Sequence, residues 1–110
     1  MSITVNLTYT GKNGAAREFV REMEESGTAA RIRAEEGNER YEYFLSMSDP
    51  ETVLLIDQWK DQDAIDRHHA SAMMDEIARL RDRYDLKMTA RRYRDDETGF
   101  SDHDQSFIRN

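Results

Sequence analysis

Four consecutive apolar residues, Val-Leu-Leu-Ile at positions 53–56, lie inside a stretch with the composition of a β-strand. Successive side chains of a strand point to opposite faces, so a run of this kind predicts a strand that is buried on both faces. A fold for this chain must therefore cover both sides of the sheet that contains residues 52–59.

The rest of the chain supplies three more predicted strands and two helical regions. Residues 3–10, 40–47 and 86–94 have the period of two that is typical of strands. Helical period appears in a stripe formed by Ala16, Phe19, Val20 and Met23, and again in the region between the third and fourth strands.

Turn and capping residues set the expected ends of these segments. Asn13 is a candidate cap for the first helix, Gly27 suits its end, and Asp61 is a candidate cap for a short helix that carries His68. Residues 28–36 have little apolar surface, and we interpret them as a loop or a short helical turn.

The resulting order, β-α-β-β-α-β, predicts an α+β domain with the ferredoxin-like split βαβ arrangement. The helices of that arrangement cover one face of the sheet. A second copy of the chain is the simplest cover for the other face, so we expect a homodimer.

Charge divides the chain into two parts. The formal net charge is −7, and residues 95–110 carry five acidic side chains against Arg109. We expect residues 1–94 to form the ferredoxin-like domain and residues 95–110 to be an acidic C-terminal tail, either disordered or packed on the partner subunit.

Composition excludes several classes of function. An acidic chain is a poor match for nonspecific nucleic-acid binding or for anionic membranes. The absence of cysteine removes disulfides, thiolate metal sites and cysteine nucleophiles. The beginning of the sequence, MSITVNLTYT, lacks the pattern of a signal peptide, and no apolar run is long enough to span a bilayer, so we expect a cytoplasmic protein.

Cofactor and metal motifs are also missing from the sequence. The segment Gly11-Lys12-Asn13-Gly14 does not match a phosphate-binding loop. The tract Asp102-His103-Asp104 resembles a metal tract in composition alone. We expect no cofactor and no bound metal.

The stretch from the third strand into the following helix is more specific. It reads LLIDQWKD at residues 54–61, followed by Ala64-Ile65 and by His68, nine residues after Trp59. This stretch resembles the antibiotic-biosynthesis monooxygenase family, and the resemblance covers residues 3–94. Two positions depart from the family pattern: Asp57 replaces a frequent glutamate, and Ala72-Met73 replaces a frequent Pro-His pair after serine.

The resemblance implies an obligate dimer in which two sheets form an α+β barrel, with a pocket between the sheet and the helices of each subunit. It implies a cofactor-independent monooxygenase that removes a proton from a quinol or another hydroxylated aromatic, so that the substrate anion reacts with dioxygen. Three alternatives remain open: a non-catalytic small-molecule-binding or regulatory dimer, an isomerase of a small hydroxy-ketone, and a haem-degrading oxygenase. The haem-degrading branch agrees at Asn6 but has histidine where this chain has Ala78.

Four residues are the candidate site. His68 is the candidate catalytic base, because neutral imidazole accepts protons near neutral pH. Trp59 is a candidate wall for stacking on an aromatic substrate, Tyr41 a hydrogen-bond partner for a phenolate, and Asn6 a partner for a carbonyl or hydroxyl group. Each has an alternative structural role, as a core, sheet or dimer-interface residue.

Two further residues, Arg79 and His69, are less favoured as site residues. Arg79 could stabilise an oxyanion, but its position beside the apolar stripe of its helix favours an exposed side chain. His69 follows His68 directly, and adjacent helical side chains point about 100° apart, so the two histidines are a poor chelating pair.

Overall fold

The structure is a computed structural model that describes residues 2–110, which form four strands and five helices. The strands are β1 (Ile3–Thr10), β2 (Asn38–Leu45), β3 (Thr52–Trp59) and β4 (Lys87–Arg94). The helices are α1 (Ala15–Glu25), α2 (Thr28–Arg33), α3 (Gln62–His69), α4 (Met73–Arg83) and α5 (Asp102–Gln105). This order confirms the predicted ferredoxin-like α+β fold.

One antiparallel sheet has the strand order β2-β3-β1-β4. Its register places Tyr41 of β2, Asp57 of β3, Val5 of β1 and Arg92 of β4 in one row across the sheet. Side chains of directly opposed residues share a face, so this row lies on a single side of the sheet. It is the side that the helices cover.

The core lies between that face and the helices. In β3 the buried positions alternate with half-buried ones, and Val53, Leu55 and Trp59 are almost fully buried. Phe19 and Met23 of α1 pack over the sheet, as their helical stripe predicted.

The sequence prediction for residues 28–36 understated their structure. Residues Thr28–Arg33 form a helix, α2, whose Thr28, Ala29 and Ile32 are fully buried. Six residues are too few to display a helical period, which is why the pattern resembled a loop.

The cap of α1 also differs from the prediction. Gly14, with a φ of 81°, occupies the N-cap position in place of Asn13, and its N–H donates to a carboxylate oxygen of Glu51 at 3.0 Å. A left-handed backbone favours glycine at that position. Asp61 caps α3 as predicted, because its side chain accepts a hydrogen bond from the N–H of Ala64.

The face of the sheet opposite the helices has no cover from residues 2–110. Leu54 and Ile56 of β3 lie on this face and are half-buried, together with Thr4 and Thr8 of β1. Residues 2–110 therefore bury β3 fully on its helix-covered face and leave the opposite face half-buried. The homodimer that would complete it stays a prediction.

Residues 95–110 are exposed throughout and include the short helix α5, capped by Ser101. Phe100, Phe107 and Ile108 of this tail have exposed fractions of 67%, 74% and 42%. Within the described residues, no helix has the length and apolar character that crossing a membrane requires.

Candidate functional site

A cavity of about 260 Å³ lies between the helix-covered face of the sheet and the helices α3 and α4. Its walls are mostly apolar and aromatic, which is usual for small-molecule sites. Three of the four predicted site residues border it: Tyr41, Trp59 and His68.

His68 reaches the cavity from the buried face of α3. Helical spacing places it beside Ala64 and Ile65, and its side chain is about 5% exposed. Its Nδ1 lies 2.7 Å from Oε2 of Glu35, a residue just beyond the end of α2. Because a carboxylate accepts the hydrogen on Nδ1, the tautomer that this contact favours leaves the Nε2 lone pair free.

Trp59 holds the other side of the imidazole. The two rings stack with centroids 4.8 Å apart and an interplanar angle of 29°. The indole Nε1–H donates to Oδ1 of Asp57 at 2.7 Å. Trp59 and Asp57 are two residues apart on one strand and so share its helix-covered face. The orientation of His68 is therefore fixed by stacking and by the carboxylate of Glu35.

Burial changes the acidity of both ionisable groups beside Trp59. It raises the pKa of Asp57 to about 7, although the hydrogen bond from Trp59 opposes this, and the negative charge of Glu35 adds to the rise. Burial also lowers the pKa of His68 below its usual value, while the neighbouring Glu35 partly offsets that effect. At neutral pH His68 is therefore mainly the neutral imidazole, which is the form that accepts a proton.

Tyr41 of β2 and Tyr9 of β1 border the cavity. The hydroxyl of Tyr43 donates to that of Tyr41 at 3.3 Å. Burial raises the pKa of Tyr41 well above its ordinary value and that of Tyr9 to about 12. These tyrosines are neutral at physiological pH, so they can give hydrogen bonds but cannot serve as bases.

The β4 side of the cavity carries positive charge. Arg92 of β4 and Arg81 of α4 both border it. Nη2 of Arg92 donates to Oε1 of Gln62, at the start of α3, at 2.7 Å. This contact ties the edge strand to the helix that carries His68.

The remaining predicted residues lie elsewhere. Asn6 pairs with Ile56 and Arg91 in the sheet, so its side chain is on the uncovered face and does not border the cavity. Its Oδ1 is buried and has no hydrogen-bond partner within residues 2–110. Arg79 is half-exposed in an ion pair with Glu76, whereas His69 borders the cavity beside His68.

Sequence reasoning missed Glu35, Asp57, Arg81 and Arg92 as site residues. Glu35 carried no signal, because it lies 33 residues from His68 in an irregular segment. Asp57 was visible as the acidic residue of the LLIDQWKD stretch, and its spacing from Trp59 already placed both on one face. In the part of the chain that the structure describes, no three His, Asp or Glu side chains form a group that could hold a metal ion.

The family comparison gives a clear result. The sequence model of the family described as antibiotic biosynthesis monooxygenase matches residues 2–80. No curated protein matches the chain by sequence.

Solved structures give several matches to the fold. A conserved protein from Methanosarcina mazei Go1 has a TM-score of 0.76 and 24% identity, and the match covers 87% of this chain and 94% of that one. A protein from Pseudomonas aeruginosa has a TM-score of 0.71 and 25% identity, with coverage of 84% and 91%. SnoaB, a cofactor-independent oxygenase from Streptomyces nogalater, has a TM-score of 0.73 and 19% identity, with coverage of 86% and 93%.

Proposed function

The chain belongs to the antibiotic biosynthesis monooxygenase family, and from that membership we propose that it is a cofactor-independent monooxygenase of a hydroxylated aromatic substrate. The observation that carries the proposal is the buried, neutral imidazole of His68 at the wall of an apolar cavity. The similarity of the fold to SnoaB, a cofactor-independent oxygenase, supports the same reaction type.

The reaction begins with the transfer of a proton from a substrate hydroxyl group to Nε2 of His68. Ground-state dioxygen is a triplet and reacts slowly with closed-shell molecules, but an electron-rich phenolate can give it one electron. The substrate radical and superoxide then combine into a peroxide at a ring carbon that carries hydrogen. Loss of water from this peroxide leaves a carbonyl group, so one oxygen atom enters the product and the other leaves as water.

Glu35 has a positioning role in this scheme. Its contact with Nδ1 fixes the tautomer of His68 and stabilises the imidazolium that forms when Nε2 takes the proton. A smaller cavity of about 190 Å³ is bordered by Glu35, Arg67 and His68. It gives the Glu35 side of the imidazole a route to solvent, through which the proton can leave.

Asp57 supplies the second proton-transfer group. Its pKa of about 7 means that a substantial fraction is protonated at neutral pH, and it borders the same cavity as His68. We assign to it the donation of a proton to the peroxide before water leaves. Trp59 connects the two groups, because it stacks on His68 and donates to Asp57.

The size and walls of the cavity support a compact substrate. About 260 Å³ is slightly below the usual range for ligand pockets, which begins at about 300 Å³, and it suits a molecule of one or two fused rings. Trp59 and Tyr41 supply aromatic surface. The proposed partners of the site are therefore a small aromatic substrate and dioxygen.

We also propose that the functional unit is a homodimer in which the uncovered sheet faces of two subunits meet to form the α+β barrel. Leu54 and Ile56 would then be buried, and the orphaned Oδ1 of Asn6 would gain access to donors of the partner subunit. The cavity lies on the other face of the sheet and remains open to substrate.

One observation favours a second candidate, a small-molecule-binding dimer without catalysis. Met73 stands where the family pattern often has a second histidine, and it packs against the hydrophobic core. Without that histidine, His68 and its neighbour His69 are the imidazoles at the site that can transfer protons.

Oxygen uptake with a panel of quinols and polyphenols, measured with a chelator present, tests the proposal. The wild-type protein should consume oxygen above the autoxidation blank, and His68→Ala should lower the rate by about a hundredfold. His103→Ala, on the exposed tail, is the matched control and should retain the wild-type rate.

Two results would contradict the proposal in different ways. Absence of uptake with every substrate would favour the binding dimer. Equal rates for the wild type and His68→Ala would leave an oxygenase whose base is another group.

A further inference from the structure

Two arginines face the same side of the cavity from different elements. Arg92 follows Met88 and Ala90 on the helix-covered face of β4, and all three border the cavity. Arg81 lies on α4 on a stripe with Met74 and Ile77, which also border it. An apolar surface therefore carries two permanent positive charges at this side.

The charge of these two arginines is poorly neutralised by the protein itself. Arg92 donates to Gln62, which is uncharged, and it forms no ion pair within residues 2–110. Arg81 has a contact with Asp82 at 3.8 Å, and the Asp82 side chain is 79% exposed. By contrast, the arginines at positions 33, 40, 79 and 83 have carboxylate contacts of 2.7 to 3.1 Å.

The positive charge of Arg81 acts inside the cavity. The guanidinium of Arg81 opposes the rise in the pKa of Tyr9, so its field reaches a buried hydroxyl on the central strand. The acidic groups near the site are Asp57, beside Trp59, and Glu35, which is engaged with His68. Neither makes an ion pair with Arg81 or Arg92.

The register of the sheet gives the scale of the site. Asp57 and Arg92 are both opposite Val5, on the two strands that flank β1, so two strand spacings, about 10 Å, separate their backbones. Gln62, which holds Arg92, precedes His68 by six residues on α3, a rise of about 9 Å along a helix. The proton-transfer groups and the guanidinium groups are therefore separated by roughly the length of a two-ring aromatic molecule.

We propose that the site takes an aromatic acid: a molecule of one or two fused rings with a hydroxyl group at His68 and a carboxylate at Arg81 and Arg92. A guanidinium binds a carboxylate through two parallel hydrogen bonds, which fixes direction as well as position. An anchored carboxylate would hold the opposite end of the ring system against His68. This inference rests on the proposed site but not on the oxygenation step.

Calorimetric binding of two ligands that cannot be oxidised at a ring hydroxyl tests the inference. Naphthoate and naphthamide have nearly the same shape, but naphthoate alone is charged. The wild-type protein should bind naphthoate at least about tenfold more tightly than naphthamide, and added salt should reduce this preference.

Matched variants locate the source of the preference. Arg81→Gln and Arg92→Gln should each weaken naphthoate binding several-fold and leave naphthamide binding unchanged, and the double variant should bind both ligands equally. Arg79→Gln removes an arginine from the same helix outside the cavity and should keep the wild-type preference. The single variants keep the test valid if the double variant does not fold.

The inference is overturned by equal affinities in the wild type, by no binding of either ligand, or by a preference that survives in both single variants. A preference for naphthoate in a protein that never consumes oxygen would uphold this inference and refute the monooxygenase. Oxygen uptake with neutral quinols, without a preference for naphthoate, would uphold the monooxygenase and refute this inference.

Discussion

The carboxyl group of Asp57 should make the stability of this protein depend on pH in a direction unusual for an acidic residue. Its side chain is 7% exposed, and burial raises its pKa from 3.8 to about 7. The folded state therefore binds a proton more tightly than the unfolded state does. Stability from this group is fully present below the unfolded pKa and is lost as pH rises through the folded pKa.

The magnitude follows from the change in pKa. A rise of about three pH units at about 1.4 kcal/mol per unit gives about 4 kcal/mol over the whole range. Between about pH 4.5 and about pH 8, the same pKa values give a loss of about 3 kcal/mol. Asp57→Asn removes this titration and keeps a side-chain oxygen that can accept from Nε1 of Trp59.

Denaturant unfolding of the wild type and Asp57→Asn, at one protein concentration and several pH values, measures the effect. The free energy of unfolding of the wild type, minus that of the variant, should fall by about 3 kcal/mol from pH 4.5 to pH 8. Groups that titrate equally in both proteins cancel in this difference. A constant difference would refute the reasoning, because it would mean that Asp57 is effectively solvated in the folded protein.

Three further changes test other parts of the structure. If His68 is the base, the rate of oxygen uptake should rise with pH as its imidazolium loses a proton. Glu35→Gln should lower that rate and shift the rise to lower pH, because Glu35 raises the pKa of His68; an unchanged pH profile would remove Glu35 from the site. Ile56→Asp should give a monomer mass in light scattering, whereas Met47→Asp, at a fully exposed position, should stay a dimer; two dimers, or a monomeric wild type, would contradict the proposed interface. Deletion of residues 95–110 should leave the thermal midpoint nearly unchanged, since these residues are exposed, and a large fall would show that the tail packs on the partner.

The sequence predicted the strands and the main helices because the apolar residues of each recur with the period that places them in the core. β1 and β3 have the predicted bounds, and the stripe of α1 forms part of the core. β2 begins at Asn38 and ends at Leu45, two residues earlier at each end than the predicted strand. The apolar face predicted for β4 is exposed in the structure, because β4 is an edge strand and the open cavity, not a packed helix, lies against Met88 and Ala90.

The candidate site was predicted where local spacing decides which way a side chain points. Trp59 and Tyr41 lie on the helix-covered face by the period of two, and His68 lies inward by the period of the helix. The same rule places Asn6 on the opposite face from Val5, so the resemblance suggested a role that the alternation of β1 argued against. The pairing of Glu35 with His68 depends on the tertiary fold and could not be predicted.

The cost of the proton-transfer groups separates the two candidate functions. A binding dimer needs the apolar walls and the two arginines. Binding of a ligand by these groups does not require an ionisable side chain such as Asp57 in contact with Trp59. Ionisation of Asp57 nevertheless removes about 3 kcal/mol of stability between about pH 4.5 and about pH 8, and a buried imidazole with its own carboxylate adds a further desolvation cost. An enzyme that must accept one proton and return another gains a function from both groups, since each has its pKa shifted in the direction that its step requires. The arrangement of Glu35, His68 and Asp57 around Trp59 therefore favours catalysis over binding alone, and the oxygen-uptake measurement on His68→Ala decides between them.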